Sequence, residues 1–242
     1  MGVARAGGLG FGSLFEGRIN GMRSINPQHM NTVQYSRITF RSLILTLLFV
    51  TGMECRPALA QYKVGDRARD FRLKNMGIGR TFVSLNTDRS AAGYVLVFSG
   101  LHCPWSKAYW DRLIRIDRRY RPLGYPVLLI NPNDPNQVAA DSPEDMQRAA
   151  REHGFPFPCL FDEQQDVARD YGAVRTPHVF ILCKEKEGWM VRYSGAIDDN
   201  TEFPDQVTVH FVEDALESLL RGSFVRQEST PPVGCPIAWK KR

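Results

Sequence analysis

Cysteine is scarce in this chain, five in 242 residues, and no two stand as Cys-x-x-Cys. No two histidines stand as His-x-x-x-His either. Both absences argue against a zinc site, whose ligands recur at such short spacings. They also argue against a disulfide-built scaffold. Residues 61–242 hold only Cys103, Cys159, Cys183 and Cys235, and a domain of that length can bury a sufficient apolar core without staples. Internal repeats and low-complexity tracts are missing. No apolar run reaches the roughly 20 residues of a membrane-crossing helix; Ser42–Thr51 is about half as long.

That short run has a setting of its own. Arg37 and Arg41 precede it and Ala58-Leu-Ala60 follows it. A charged flank, an apolar centre and a small-x-small end are the pattern of a secretory signal peptide, with cleavage expected between Ala60 and Gln61. If it is not cleaved, the same run is a membrane anchor. Glu54 before Cys55 fits a lipidation site poorly. Residues 1–29 precede a start at Met30 that would give a signal of ordinary length, so they read as an over-extended start or a disordered segment. Gly7–Gly12 follows no strand and earns no phosphate-binding reading. The expected organisation is a signal over 30–60, a domain over 61–222 and a C-terminal tail over 223–242.

A strong excess of one charge is missing too. The formal net of +5 falls to +1 beyond residue 60, where 25 basic residues face 24 acidic ones. Arg115, Arg118, Arg119 and Arg121, interleaved with Asp111 and Asp117, read as the solvated face of a helix. Nucleic acid is not an expected partner.

What is present is a regular alternation. Short apolar strands are expected near 94–99, 126–131 and 178–183, with helices near 104–120, 143–153 and 164–171 between them. Alternation of this kind argues for an α/β fold, a central mixed sheet with helices on both faces. Lys184–Gly188 reads as the turn of an antiparallel hairpin into Trp189–Ser194. Val207, Phe211, Ala215 and Leu219 predict an amphipathic helix over 206–221 that ends near Gly222. Asn131-Pro-Asn-Asp-Pro135 is a turn cluster.

The most informative stretch is Tyr94-Val-Leu-Val-Phe-Ser-Gly-Leu-His-Cys103-Pro-Trp-Ser-Lys107. A strand ends in a turn at Gly100, and Cys103 stands where a helix should begin, with Pro104 suited to its first position. Unpaired N–H groups and the positive end of the helix dipole there favour the thiolate, the form that attacks disulfides and peroxides. Ser106 occupies the place of a dithiol enzyme's second cysteine. Later, Arg175-Thr176-Pro177 opens the strand His178–Leu182.

This pair resembles the thioredoxin-like superfamily, in which a strand–Cys–helix unit faces a cis proline just before a later strand. Val64–Leu73 and Gly79–Leu85 resemble the opening of redoxin and peroxiredoxin-type (AhpC/TSA-type) domains. Phe155–Pro158, Asp162–Ala168, Tyr193–Asp199 and Gly234–Trp239 are similar to one peroxiredoxin-like subgroup with a Cys-Pro-Trp-Ser site. The resemblance covers about residues 62–240. It implies a thioredoxin-like fold and a thiol-dependent oxidoreductase with no cofactor or metal. Its substrate would be a peroxide or protein disulfide, its partner a thiol reductant or thioredoxin-like donor.

The expected nucleophile is Cys103. Arg175 is a candidate thiolate stabiliser, and Thr176, Pro177 and Trp105 are candidate substrate contacts. His102 adjoins the cysteine, although adjacent side chains often point apart. A sulfenic acid on Cys103 has no second thiol in its own motif, so a resolving partner is required. Cys235 is the candidate, on a flexible-looking tail that reads as an extended segment lying over the domain or reaching a partner; Cys159 and Cys183 read as structural members of strands. Asp198 and Asp199 read as turn and capping residues. One departure stands out: peroxiredoxins carry Thr or Ser three residues before the cysteine, and here that position is Gly100. The alternatives are a monothiol reductase or isomerase of exported proteins, and a non-catalytic module that binds peptides beside Pro177.

Overall fold

Six consecutive buried residues, Gly93–Phe98, form β4 at the middle of the fold. They belong to a computed structural model that describes residues 61–241; the expectations about the start, the signal and its cleavage lie outside the described residues. β4 pairs with a strand on each edge and packs against a buried cluster on each face, so its sequence reads as a continuous apolar run. The strands before it are short: β1 (Arg67–Ala68), β2 (Leu73–Asn75) and β3 (Phe82–Val83). After it come β5 (Val127–Asn131), β6 (Cys159–Phe161), β8 (His178–Glu185) and β9 (Gly188–Gly195). Together they make an eight-stranded sheet in the order β1-β9-β8-β4-β5-β6-β2-β3. β4, β5 and β6 run parallel, and β8, β9 and β2 run antiparallel to their neighbours. A separate two-stranded ladder joins β7 (Arg175–Thr176) to β10 (Cys235–Pro236).

Alternation along β4 sorts two cores. Val95 and Val97 face helices α1 (Pro104–Tyr120), α2 (Pro143–Glu152) and α4 (Phe211–Leu220). Tyr94, Leu96 and Phe98 face α3 (Asp166–Tyr171), the N-terminal strands and Ile237 of the tail. Helices thus cover both faces, three on one and one on the other. Each large apolar side chain sealed in these layers, such as Leu96, Phe98, Phe157 or Phe180, contributes roughly 1.5–3 kcal/mol through burial.

Local chemistry sets the helix ends. Ser142 caps α2 by accepting from Asp145 N–H at 3.1 Å, Pro143 opens it, and Glu144 and Asp145 lie in its first turn, all favourable at an N-terminus. α1 carries Arg118 and Arg119 in its last turn. Asp117 departs from the expected solvated face: it is buried, accepting from Val127 N–H at 2.9 Å and from both arms of Arg121. α4 starts later than its periodicity suggests. Thr208 and Val209 are drawn into bonds with Asp199, which leaves Val207 outside the helix, and the buried stripe is Val212, Ala215 and Leu216.

The tail lies across the domain, the first of the two courses expected of it, with Val225, Thr230 and Ile237 buried.

Candidate functional site

β4 delivers the chain to Ser99, a tight turn follows, and Cys103 is the N-cap residue of α1 with extended backbone, φ −71° and ψ 117°. Pro104 takes the first helical position and the first turn holds no acidic residue, so no carboxylate on the helix itself offsets its positive end beside the sulfur. Cys103 is 0% exposed. The Thr176–Pro177 peptide is cis, and the Thr176 carbonyl oxygen is 2.9 Å from Cys103 Sγ.

The second sulfur comes from the tail. β10 pairs with β7 so that Cys235 stands opposite Thr176, and its Sγ is 2.6 Å from that of Cys103. A covalent S–S bond is about 2.05 Å. The two thiols divide the proton unequally. Burial pushes Cys103 up, but hydrogen bonds from the Cys235 side chain and from the Ser106 and Cys235 backbone outweigh it, and its pKa falls. Burial also pushes Cys235 up, the hydrogen bond to Cys103 and the charge on that sulfur add to the effect, and its pKa is about 11. Cys103 is therefore the more acidic of the two thiols, and Cys235 the one that holds its proton. The Thr176 hydroxyl is fully buried and has no hydrogen-bond partner.

The turn before Cys103 is held by Asp141, a fully buried carboxylate. It accepts from Leu101 N–H and, at 3.3 Å, from His102 N–H; Asn133 Nδ2 donates to it at 2.7 Å and His102 Nδ1 lies 2.5 Å away. His102 is thus turned toward Asp141. Gly100 is a necessity of this packing: a Cβ there would clash with Asn133 Nδ2 and sit 3.3 Å from Asp141 Oδ2 and 3.4 Å from the Thr176 hydroxyl. The hydroxyl that peroxiredoxins carry at this position has no room here, and the Thr176 hydroxyl faces the same space.

Of the residues singled out in the sequence, Cys103, Cys235, Thr176 and Pro177 come together. Trp105 is half-buried at the mouth, lining an open groove of about 590 Å³ with Val233, Pro231 and Phe203. Arg175 does not fulfil its expected role on Cys103. Its exposed guanidinium donates to the Gly234 carbonyl at 2.8 Å, and its charge falls on Cys235. It braces the tail. Cys159 is sealed in β6, where burial pushes its thiol up to about 12. Cys183 lies at the far end of β8, 3.5 Å from the Tyr125 hydroxyl. Asp198 is a buried ion-pair partner of Arg112 at 2.6 Å and accepts from Tyr109, and Asp199 holds Thr208. Both have turn-forming roles.

Asp141 and Asn133 were not recognisable as site residues in the sequence. A signal was available: Asn131-Pro-Asn-Asp lies at the carboxyl end of a buried parallel strand, where open α/β sheets build their sites. His178, next to Pro177, is another: it is buried, its Nε2 3.1 Å from Ser194 Oγ, and burial lowers its pKa to about 4.

Residues 64–200 match the AhpC/TSA family. Two solved structures are similar over most of the chain. One, an uncharacterized conserved protein from Geobacillus kaustophilus, shares 36% identity at a TM-score of 0.68, covering 76% of this chain and 95% of that one. The other, a hypothetical protein from Sinorhizobium meliloti 1021, shares 28% identity at a TM-score of 0.67, covering 74% and 96%. No curated protein matches the chain.

Proposed function

Since the chain belongs to the AhpC/TSA family, with a thioredoxin-like α/β fold, we propose that it is a thiol-dependent oxidoreductase that reduces peroxides through Cys103. The observation that carries this reading is the pair of unlike thiols, an acidic Cys103 at a helix N-terminus with a proton-bearing Cys235 at 2.6 Å. The Cys103 thiolate attacks the terminal peroxide oxygen, the O–O bond breaks, and the alkoxide or hydroxide leaves, taking up a proton from solvent, to give Cys103 sulfenic acid. Cys235 then attacks that sulfur; water leaves and a Cys103–Cys235 disulfide forms. A thiol reductant restores both thiols. Thr176, its hydroxyl unpartnered, supplies the hydrogen bond to the peroxide that Gly100 lacks the side chain to give.

The test is a pH titration of Cys103 alkylation, with peroxide and disulfide turnover followed in parallel. The midpoint is expected below the ordinary thiol value of about 8.5. Burial slows the plateau rate without moving the midpoint, because the thiolate fraction is a separate equilibrium. A midpoint at or above 8.5, or turnover of disulfide but not peroxide, would overturn the reading.

Export is part of the same proposal, resting on the signal-like pattern over 30–60. Protein from the native host is expected to begin at Gln61; mass spectrometry that finds residues 42–60 retained would replace secretion with a membrane anchor.

A further inference from the structure

We infer that the C-terminal segment around Cys235 is a built-in occupant of the backbone edge that a protein substrate would need, so that the enzyme takes small hydroperoxides and excludes protein disulfides. This inference rests on the thiol-oxidoreductase reading and narrows its substrate class. An extended polypeptide reaches a buried sulfur by adding itself as a strand to a neighbouring edge, with main-chain hydrogen bonds giving affinity. β7 is that edge, and β10 already pairs with it, antiparallel, with Cys235 opposite Thr176. The segment therefore stands where a substrate strand would lie, and its cysteine meets Cys103 as a substrate's sulfur would.

Closeness and anchoring both show a seated strand. A Cβ on Gly234 would overlap the Thr176 carbonyl oxygen, so only glycine permits this approach. Upstream, Thr230 N–H donates to the Ser194 carbonyl at 3.0 Å, and its hydroxyl lies 2.7 Å from that of Tyr193. Downstream, Ile237 is buried in the core, and Ala238 donates to Asn133 Oδ1 at 2.9 Å and accepts from Asp134 N–H at 2.9 Å. Gln165 completes the clamp: its amide donates to the Ala238 carbonyl at 2.9 Å and accepts from Lys240 N–H at 2.8 Å. It does so from a left-handed backbone, φ 61°, a conformation that persists in a non-glycine residue only when its surroundings hold it. A protein substrate would have to displace all of this. A hydroperoxide needs no strand edge, only a small displacement of the Cys235 side chain.

The experiment uses reduced full-length chain and two mixed disulfides of thionitrobenzoate, one with cysteamine and one with the single cysteine of an extended ten-residue peptide. The leaving group is the same, so the ratio of rates reports access. Thionitrobenzoate release gives the rates, peptide mapping identifies the Cys103 adduct or the Cys103–Cys235 disulfide that follows from it, and hydrogen peroxide consumption is followed alongside. The wild type is expected to favour the small probe at least tenfold. Gln165→Asn tolerates the left-handed backbone with an amide one carbon shorter, and Ile237→Asp removes the core anchor; either is expected to raise the peptide rate and bring the ratio toward one. A ratio near one in the wild type would overturn the inference without any variant. So would an unchanged ratio in variants whose tail amides exchange freely with solvent. Inertness of Cys103 toward peroxide and both probes in every protein would instead sink the oxidoreductase reading, and this inference with it.

Discussion

Cys103→Ser is expected to lower peroxide turnover to the uncatalysed background, a loss of about a thousandfold or more, since the nucleophile itself is removed. The substitution should leave the fold alone. Serine is smaller than cysteine, and the residue's structural duty as N-cap of α1 is one that serine performs well. Melting temperature and circular dichroism check the fold, and steady-state peroxide consumption with a dithiol reductant checks the chemistry. Cys159 cannot substitute, because burial holds its thiol at about 12 and keeps it protonated. Undiminished turnover in the serine variant would remove Cys103 from the chemistry and favour a peptide-binding role for the fold.

The parts of this site visible in the sequence are those fixed by local pattern. A buried apolar strand, a glycine turn, a cysteine and a proline at a helix start are contiguous, and α1 runs over Pro104–Tyr120 as its periodicity requires. Thr176-Pro177 announces itself by the strand that follows. What escaped depends on contacts between distant segments. Asp141 looks like an ordinary loop acid until the fold brings Leu101, His102 and Asn133 to its carboxylate. Gly100 looks like a missing hydroxyl until the Asn133 amide is seen to fill its side-chain space. Asp117 sits among arginines of a solvated stripe but turns inward to Val127 N–H, because helical periodicity gives a face and not the identity of what meets it. The tail is a further case. Its prolines and glycine suit an extended segment that lies over the domain or reaches a partner, and only its anchors on Ser194, Asn133 and Gln165 decide between the two.

That seated tail sets the strongest demand on the resolving step. One equivalent of peroxide is expected to convert the reduced protein to a Cys103–Cys235 disulfide within a single chain, seen by peptide mapping without reductant. Sulfurs held this close react as one molecule, and well-oriented intramolecular reactions reach effective concentrations of 10⁵ M or more, far above any free thiol. The sulfenic acid should therefore never accumulate in the wild type. In Cys235→Ser it should persist long enough to be trapped by dimedone, and excess peroxide should drive it to the irreversible sulfinic acid, with turnover falling tenfold or more. Gly234→Ala provides a second route to the same end while keeping both thiols: its methyl group pushes against the Thr176 carbonyl, lifts β10 from β7 and separates the sulfurs, so sulfenic acid should become trappable there too. Normal resolution in Cys235→Ser would assign the step to an external thiol; normal resolution in Gly234→Ala alone would mean that Cys235 reaches Cys103 without the β7 ladder, and the pairing would then be a consequence of the tail's seat and not its cause.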